Sequence, residues 1–266
     1  SNPLTSPFTN TIANQQTIFT RVEEIGLEAC YETTQFDVIV NPLPSTVTMT
    51  ALSICDDDAD GLGLFTLTTK DTEALNGQTG IAVSYHETQG DADTNTSPLA
   101  SPYTNTIGNS QIVIIRLENT TTNCFSTMPL ELRVNPLPIA NAIGTQTICD
   151  DDYDGLATFD FTGIDLIVAG TQLEMIVSYH ETQGDADTNS SPVTSPYTSI
   201  IPDEQTLFIR LENTTTGCFD TTTLELLVDP LPVVPTITDY ELCDDTNAGD
   251  LQELFDLSTK DTEIIN

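Results

Sequence analysis

The six cysteines recur with a fixed period, and this period is the strongest constraint on the fold. They form two series with a spacing of 94 residues, at positions 30, 124 and 218 and at positions 55, 149 and 243. The segment VSYHETQGDADTN is identical at 83–95 and 177–189, and RLENTTT begins at both Arg116 and Arg210. A chain with such a repeat is expected to fold as a tandem array in which each unit contacts mainly its neighbours.

Proline-rich tetrapeptides mark the borders between the units. NPLP occurs twice and DPLP once, and Pro-Leu-Pro is typical of a stiff linker because it cannot continue a sheet ladder. We therefore predict the C-terminal part of a repeat at 1–44, complete repeats at 45–138 and 139–232, and the N-terminal part of a further repeat at 233–266. Both ends interrupt a repeat, so we expect a piece of a longer protein.

The residue pattern within a unit is that of β-strands. QIVIIRLEN, QTLFIRLEN, LELRV and LELLV are β-branched or alternating runs bounded by Thr, Asn, Gly and Pro. Only KDTEALN, which starts at Lys70, and KDTEIIN, which starts at Lys260, are predicted to hold a helical turn. Short strands in units of about 94 residues predict an all-β fold: antiparallel β-sandwiches of immunoglobulin-like type in a linear array.

The charge of the chain is strongly negative. Forty-one acidic residues stand against six basic ones, which gives a formal charge of −35. Nucleic acid and anionic membrane surfaces are therefore poor partners, whereas divalent cations are favoured. The sequence contains no long apolar run, so we expect neither a membrane span nor a signal peptide in it.

An aspartate cluster directly after Cys55 has the spacing of a calcium loop. Asp56, Asp58 and Asp60 stand at positions 1, 3 and 5, and Gly61 stands at position 6. Alternate carboxylates can converge on one Ca²⁺, and the following carbonyl can add another oxygen. The predicted ligands are Asp56, Asp58, Asp60 and Leu62 in the first loop, and Asp150, Asp152, Asp154 and Leu156 in the second.

The loop is not an EF-hand, and the source of its remaining ligands is open. Position 12 is Leu67 in the first loop and Phe161 in the second, where an EF-hand has a bidentate Glu. A second group of alternating residues either completes the site or forms another: Asp91, Asp93 and Asn95, repeated as Asp185, Asp187 and Asn189. The alternative interpretation is that both groups are hydrated turns whose carboxylates bind local backbone amides.

The third copy of the loop departs from this pattern. Positions 3 and 5 are Thr246 and Ala248, so only Asp244 and Gly249 match. We predict weak binding or none there, unless Asp245, Asn247 or Asp250 compensates.

The cysteines predict disulfides and an oxidising compartment. Their fixed spacing and the absence of a C-x-x-C motif argue against zinc and redox sites. One pairing joins Cys55 to Cys124 and Cys149 to Cys218 within single repeats, with Cys30 and Cys243 bonded outside the segment; we favour it because it keeps the domains independent. The other joins 30 to 55, 124 to 149 and 218 to 243, and sequence does not decide between them.

No catalytic residue is predicted. His86 and His180 lack the second histidine of a zinc protease helix, and strand alternation predicts that they are exposed. Arg116 and Arg210, like Arg21, are expected to form structural ion pairs with a neighbouring strand. The chain has no nucleophile elbow, phosphate-binding loop or cofactor fingerprint, and tandem duplication favours reach and avidity over catalysis.

The repeat resembles a family of bacterial surface proteins. NPLP linkers, an ICDDDxDG start, a YHETQxDAD centre and an xRxENTTTxCF end resemble repeats of Bacteroidota proteins, especially flavobacterial ones exported by type 9 secretion. These include giant adhesins, among them those of gliding motility. The resemblance implies a location at the bacterial cell surface, a stalk or fibre role, and a Ca²⁺ role for Asp56, Asp58 and Asp60 with their repeat mates.

We therefore expect a structural stalk or filament of a surface adhesin. Its expected partners are calcium, neighbouring repeats and other copies of the chain. One alternative is that the repeats bind surface polysaccharide themselves, through the acidic loops and through Tyr103 and Tyr197, which would then be exposed. Another is that they form an accessory module of a secreted enzyme.

Overall fold

The computed structural model describes residues 3–24, 30–245, 247 and 249–265. The chain separates into two compact units, Ser1–Leu137 and Pro138–Asn266. Each unit contains one four-stranded sheet. The repeat borders predicted from the proline motifs stay predictions.

The first unit begins with an isolated hairpin. Strand β1 (Gln15–Glu23) pairs antiparallel with β2 (Tyr31–Ile39), and Gln15 lies opposite Ile39. The side chains of Phe19 and Phe36 are exposed on this two-stranded sheet. By the 94-residue period, this hairpin corresponds to the two long central strands of the repeat that follows.

The repeat that follows is built from six strands and two short helices. A 3₁₀ turn at Leu67–Lys70 leads into the first helix. The elements are β3 (Leu52–Cys55), β4 (Leu64–Phe65), α1 (Asp71–Leu75), β5 (Ile81–His86), α2 (Gln89–Thr94), β6 (Tyr103–Thr104), β7 (Ser110–Asn119) and β8 (Phe125–Asn135).

The main sheet of this repeat is mixed rather than wholly antiparallel. Its strand order is β3-β8-β7-β5, and β7 pairs antiparallel with both β8 and β5. The edge strand β3 instead runs parallel to β8, with Cys55 opposite Asn135. The prediction of an all-β fold is confirmed, but the prediction that the sheet is antiparallel throughout is wrong at this edge.

The core lies between this sheet and a thin second layer. Val113, Ile115 and Leu117 alternate along β7 toward the interior, as the period of a half-buried strand requires. Phe65 in β4 and Ala74 in α1 cover them from the other side. The second layer is therefore the small β4–β6 sheet together with α1 and the 3₁₀ turn.

The second unit repeats this architecture with one difference in its helices. The order of its main sheet is β11-β13-β14-β9, and β9 is again parallel to β14. A helix at Ile164–Ala169 takes the place of the 3₁₀ turn and α1. The elements are β9 (Gln146–Cys149), β10 (Thr158–Phe159), α3 (Ile164–Ala169), β11 (Met175–His180), α4 (Gln183–Thr188), β12 (Tyr197–Thr198), β13 (Glu204–Asn213) and β14 (Phe219–Asp229). A final 3₁₀ turn (Leu257–Lys260) leads into α5 (Asp261–Ile265).

Helices occur at more places than the sequence predicts. The two predicted helical turns are confirmed as α1 and α5, but α2, α3 and α4 were not predicted. Helix α2 starts at a Thr88 side chain that accepts a hydrogen bond from the Asp91 amide. A Thr-x-x-Asp cap is a recognisable helix start, but six residues are too few to give a helical hydrophobic period.

No helix in the described residues has the length and apolar character needed to cross a membrane.

Glu73 in α1 predicts a loss of stability in acid. Its carboxylate accepts hydrogen bonds from Lys70 and from the Thr50 amide, and these hold the pKa of Glu73 at about 2, below 4.5. A depressed pKa stabilises the folded state above pH 4.5, and this contribution is lost as pH falls toward 2. Thermal melts of wild type and Glu73→Gln should therefore differ at pH 6 and converge near pH 2. A difference that stays constant over this range would contradict the prediction.

Candidate disulfide and cation sites

Each Cys-Asp loop, as we call Cys55–Gly61 and Cys149–Gly155, begins where the parallel edge strand ends. Cys55 is the last residue of β3, and the Asp56 amide donates to the carbonyl of Asn135 at the end of β8. The Asp150 amide likewise donates to the carbonyl of Asp229. The sheet therefore fixes both the cysteine and the first aspartate.

The three predicted carboxylates converge in each loop. One oxygen each of Asp56, Asp58 and Asp60 lies within 4.8 Å of the others, and the second loop gathers its own three carboxylates in the same way. Asp56 is buried, whereas Asp58 and Asp60 are exposed. The sequence thus correctly indicated which residues meet, while calcium binding itself stays a prediction.

Backbone amides hold the first loop in shape. Gly61 donates to Oδ2 of Asp56 at 3.0 Å, and Leu62 donates to Oδ1 of Asp60 at 2.7 Å. Oδ1 of Asp56 is buried and has no hydrogen-bond partner. The proposed ligand role of the Leu62 and Leu156 carbonyls stays a prediction.

In the second loop, both carboxylate oxygens of the first aspartate accept hydrogen bonds. Oδ1 of Asp150 accepts the amides of Asp152 and Tyr153, and Oδ2 accepts the amide of Gly155. Burial raises the pKa of Asp150, but the amides of Asp152, Gly155 and Tyr153 together lower it by more, so that it lies below the usual value. The two loops therefore share a ligand set but differ in the hydrogen bonds of the first carboxylate.

Repulsion between the carboxylates is visible at the middle position. The backbone amide of Asp60 lowers the pKa of Asp58, but partial desolvation and the charge of Asp60 outweigh this effect and raise the pKa above its usual value. Asp152 responds to Asp154 in the same way. Each loop thus concentrates negative charge that its own amides only partly offset.

The third copy of the loop is only partly described. Gly249 and Leu251 both donate to Oδ2 of Asp244. Thr246 and Ala248, which carry the prediction of weak binding or none, lie outside the described residues.

The second predicted cation cluster lies on short helices. Asp91 bonds the side chains of Thr88 and Thr96, which lower its pKa, and Asp93 accepts from Gln89. Asn95 ends the helix in a left-handed conformation. The second repeat has the same arrangement: Asp185 and Asp187 lie in α4, and Asn189 ends the helix. Binding of Ca²⁺ here stays a prediction, and these contacts give it no further support.

Both predicted disulfide pairings are wrong. Cys55 and Cys218 are disulfide-bonded, whereas Cys30, Cys124, Cys149 and Cys243 are free thiols. The pairing within a repeat fails because of the strand register: Cys55 lies beside the last residue of β8, whereas Cys124 directly precedes its first. Eleven residues of strand separate these ends by roughly 35 Å, and a disulfide needs Cα atoms about 4.4–6.8 Å apart. The other pairing is excluded because Cys30, Cys124, Cys149 and Cys243 are free.

The repeated arginine is a structural group, as predicted, but its partners differ from the prediction. Arg116 forms an ion pair with Glu118 in its own strand, not a neighbouring one, and also donates to the Ala92 carbonyl at the end of α2. Its guanidinium lies 3.5 Å from the ring centroid of Phe125. Arg210 makes the corresponding contacts with Glu212, Ala186 and Phe219.

The histidines and one tyrosine are buried, contrary to the prediction of exposure. His86 and His180 are both 0% exposed, and His86 bonds Ser84 and the Thr96 carbonyl. A carbonyl can only accept, so Nδ1 of His86 donates. Tyr197 is buried and Tyr103 is half-buried, and their hydroxyls donate to Glu181 and Glu87. Both tyrosine hydroxyls are thus engaged in hydrogen bonds within their own repeat, which weakens the case for a sugar-binding surface.

Comparison with solved structures gives only distant likenesses. The zebrafish RET cadherin-like domains 1 to 4 are 9% identical with a TM-score of 0.19, over 87% of this chain and 62% of that one. Human protocadherin-24 EC1-2 is 12% identical with a TM-score of 0.20, over 58% of this chain and 84% of that one. The chain thus spans less than two thirds of the RET structure. TM-scores this low support no conclusion about the function of this chain. No curated protein matches the chain.

A family profile matches most of the chain. The profile of the Flavobacterium inter-domain disulphide bond domain matches residues 1–44, 51–138 and 145–232. Cys55 lies in the second of these segments and Cys218 in the third. Three successive copies fit a flavobacterial multidomain protein, and a stable disulfide is typical of compartments outside the cytoplasm. The chain belongs to the Flavobacterium inter-domain disulphide bond domain family.

Proposed function

We propose that this chain is the stalk region of a surface adhesin, in which disulfides join successive repeats. Cys55 of one repeat would bond Cys218 of the next. The observation that carries the proposal is the oxidation pattern: Cys55 and Cys218 are bonded, they lie in neighbouring matched segments, and the family is described by an inter-domain disulphide.

The repeat period also predicts where the partners of the other cysteines lie. If the early cysteine of each repeat bonds the late cysteine of the next, Cys55 and Cys218 are the only pair that the 94-residue period matches within these 266 residues. Under this rule, Cys149 would bond the late cysteine of a following repeat, and Cys124 the early cysteine of a preceding one. The four free thiols are those without a counterpart in the sequence.

Covalent links between repeats suit a stalk that carries a distal adhesive element. A proline linker alone allows bending between domains, whereas a second connection restricts it. Cations bound in the Cys-Asp loops would stiffen the same junctions. Export by type 9 secretion, a place at the bacterial surface and a part in gliding belong to this proposal through the resemblance described above.

Small-angle scattering tests the stalk directly. We expect the oxidised chain to scatter as a stiff, elongated particle, and the chain treated with a phosphine reductant to become more flexible because the second connection is lost. Cys124→Ser, which removes a free thiol, should leave the oxidised profile unchanged. A compact particle, or identical profiles before and after reduction, would contradict the proposal.

A further inference from the structure

The first Cys-Asp loop holds a buried carboxylate oxygen that no protein group satisfies. Asp56 is only 6% exposed, and its Oδ1 has no hydrogen-bond partner among the described residues. Leaving a buried charged acceptor unpaired is unfavourable, because the group loses its hydration and gains no hydrogen bond in return. Such an atom therefore indicates a missing partner, which is either a hydrogen-bond donor such as water or a cation.

The other oxygen of Asp56 and the glycine of the loop fix this carboxylate in place. Oδ2 accepts the Gly61 amide, and Gly61 has a left-handed φ of 76° that favours glycine. The Gly61 carbonyl in turn accepts the Asn109 amide at 2.8 Å and the Asn105 side chain at 3.0 Å. The loop is thus tied to the rest of its repeat before any ion binds.

Protein cations do not neutralise the cluster. The six basic side chains each pair with a glutamate: Arg21 with Glu23, Lys70 with Glu73, Arg116 with Glu118, Arg133 with Glu131, Arg210 with Glu212 and Lys260 with Glu263. Within the described part of the chain, the carboxylates of the loop have no salt-bridge partner. Water can hydrate these carboxylates, but an external cation is needed to neutralise their charge.

We propose that Asp56, Asp58 and Asp60 form a Ca²⁺ site in which Oδ1 of Asp56 is the inner ligand. Oxygens bound to one Ca²⁺ at about 2.3–2.6 Å lie at most about 5 Å apart, and the three carboxylates fall within 4.8 Å of one another. The exposed rim formed by Asp58 and Asp60 leaves room for water to complete the shell. Mg²⁺ is less suited because it requires near-ideal octahedral geometry.

The two loops are not equivalent sites. Oδ1 of Asp150 already accepts the amides of Asp152 and Tyr153, so an ion in the second loop must share or displace these bonds. The first loop should therefore bind Ca²⁺ more tightly than the second. Only one consequence, that an ion beside Cys55 stiffens a junction, rests on the proposed function. Binding of Ca²⁺ itself can be measured whatever the small-angle scattering experiment shows.

Calorimetric titration of the intact oxidised chain with Ca²⁺ tests the site. The chain supplies a charge-matched control, because Asp57 is an exposed neighbour outside the converging set. Asp58→Asn should weaken the tighter binding event by at least about tenfold, whereas Asp57→Asn should change it by less than about threefold. Both replace exposed side chains, so circular dichroism should show an unchanged fold.

Terbium luminescence separates the two loops. Tyr153 stands inside the second loop, and the first loop has Ala59 at that position. The part of the tyrosine-sensitised emission that is lost in Tyr153→Phe should therefore report the second loop and saturate only after the tighter calorimetric event. Equal effects of Asp57→Asn and Asp58→Asn, no saturable Ca²⁺ binding, or tighter binding of Mg²⁺ than of Ca²⁺ would each overturn the proposal.

Discussion

Replacement of Arg116 by alanine is expected to destabilise the first unit by about 3–5 kcal/mol. The side chain is only 7% exposed and makes three kinds of contact: an ion pair with Glu118, a hydrogen bond to the Ala92 carbonyl and a stacking contact with Phe125. Alanine would leave a partly buried carboxylate and the last carbonyls of α2 without their donor. Urea denaturation followed by circular dichroism measures the loss.

Arg133→Ala is the matched control for this prediction. Arg133 also pairs with a glutamate two residues away in the same unit, Glu131, but its side chain is 51% exposed. Exposed pairs contribute about 0–1 kcal/mol, so this variant should unfold almost as wild type does. Losses of equal size in the two variants would show that burial of Arg116 does not decide its contribution.

Cleavage between the two units should separate the chain only after reduction. A protease site inserted after Pro136, where Pro136 and Leu137 are both exposed, lies between Cys55 and Cys218 in the sequence. If these cysteines bond each other, the cut chain runs as one species on a non-reducing gel and as two on a reducing gel. The effect is all-or-none because one covalent bond decides it.

Cys218→Ser is the variant that completes this experiment. It should release two fragments without reductant, and Cys149→Ser, which removes a free thiol, should not. A bond within a single repeat would instead allow the two fragments to separate in the wild-type chain after cleavage, even on the non-reducing gel. That result would contradict a link between repeats.

The sequence predicted the repeat and its strands because both leave a periodic signal. The alternation in QIVIIRLEN places Val113, Ile115 and Leu117 on one face, and the structure buries all three. The convergence of Asp56, Asp58 and Asp60 was predictable for a related reason, since spacing within one short loop largely fixes which carboxylates can meet.

The failure of the disulfide pairing within a repeat was not predictable because it depends on strand register. The parallel pairing of β3 with β8 places Cys55 beside Asn135, a full strand length from Cys124. A sequence carries no local mark of a parallel edge strand, because parallel and antiparallel edges share the same residue pattern. The prediction for His86 was wrong for a similar reason. Strand alternation predicts exposure at its position, but the chain after α2 folds back, and the Thr96 carbonyl accepts a hydrogen bond from the His86 ring.

The most direct test of the account is a peptide map of the oxidised chain. Free thiols are blocked with an alkylating reagent at acidic pH before digestion, so that bonds cannot exchange. We expect mass spectrometry to find one cross-linked pair, which joins the peptides of Cys55 and Cys218, with the other four cysteines alkylated. Cross-links between Cys55 and Cys124, or between Cys149 and Cys218, would place the disulfides within single repeats and contradict the account.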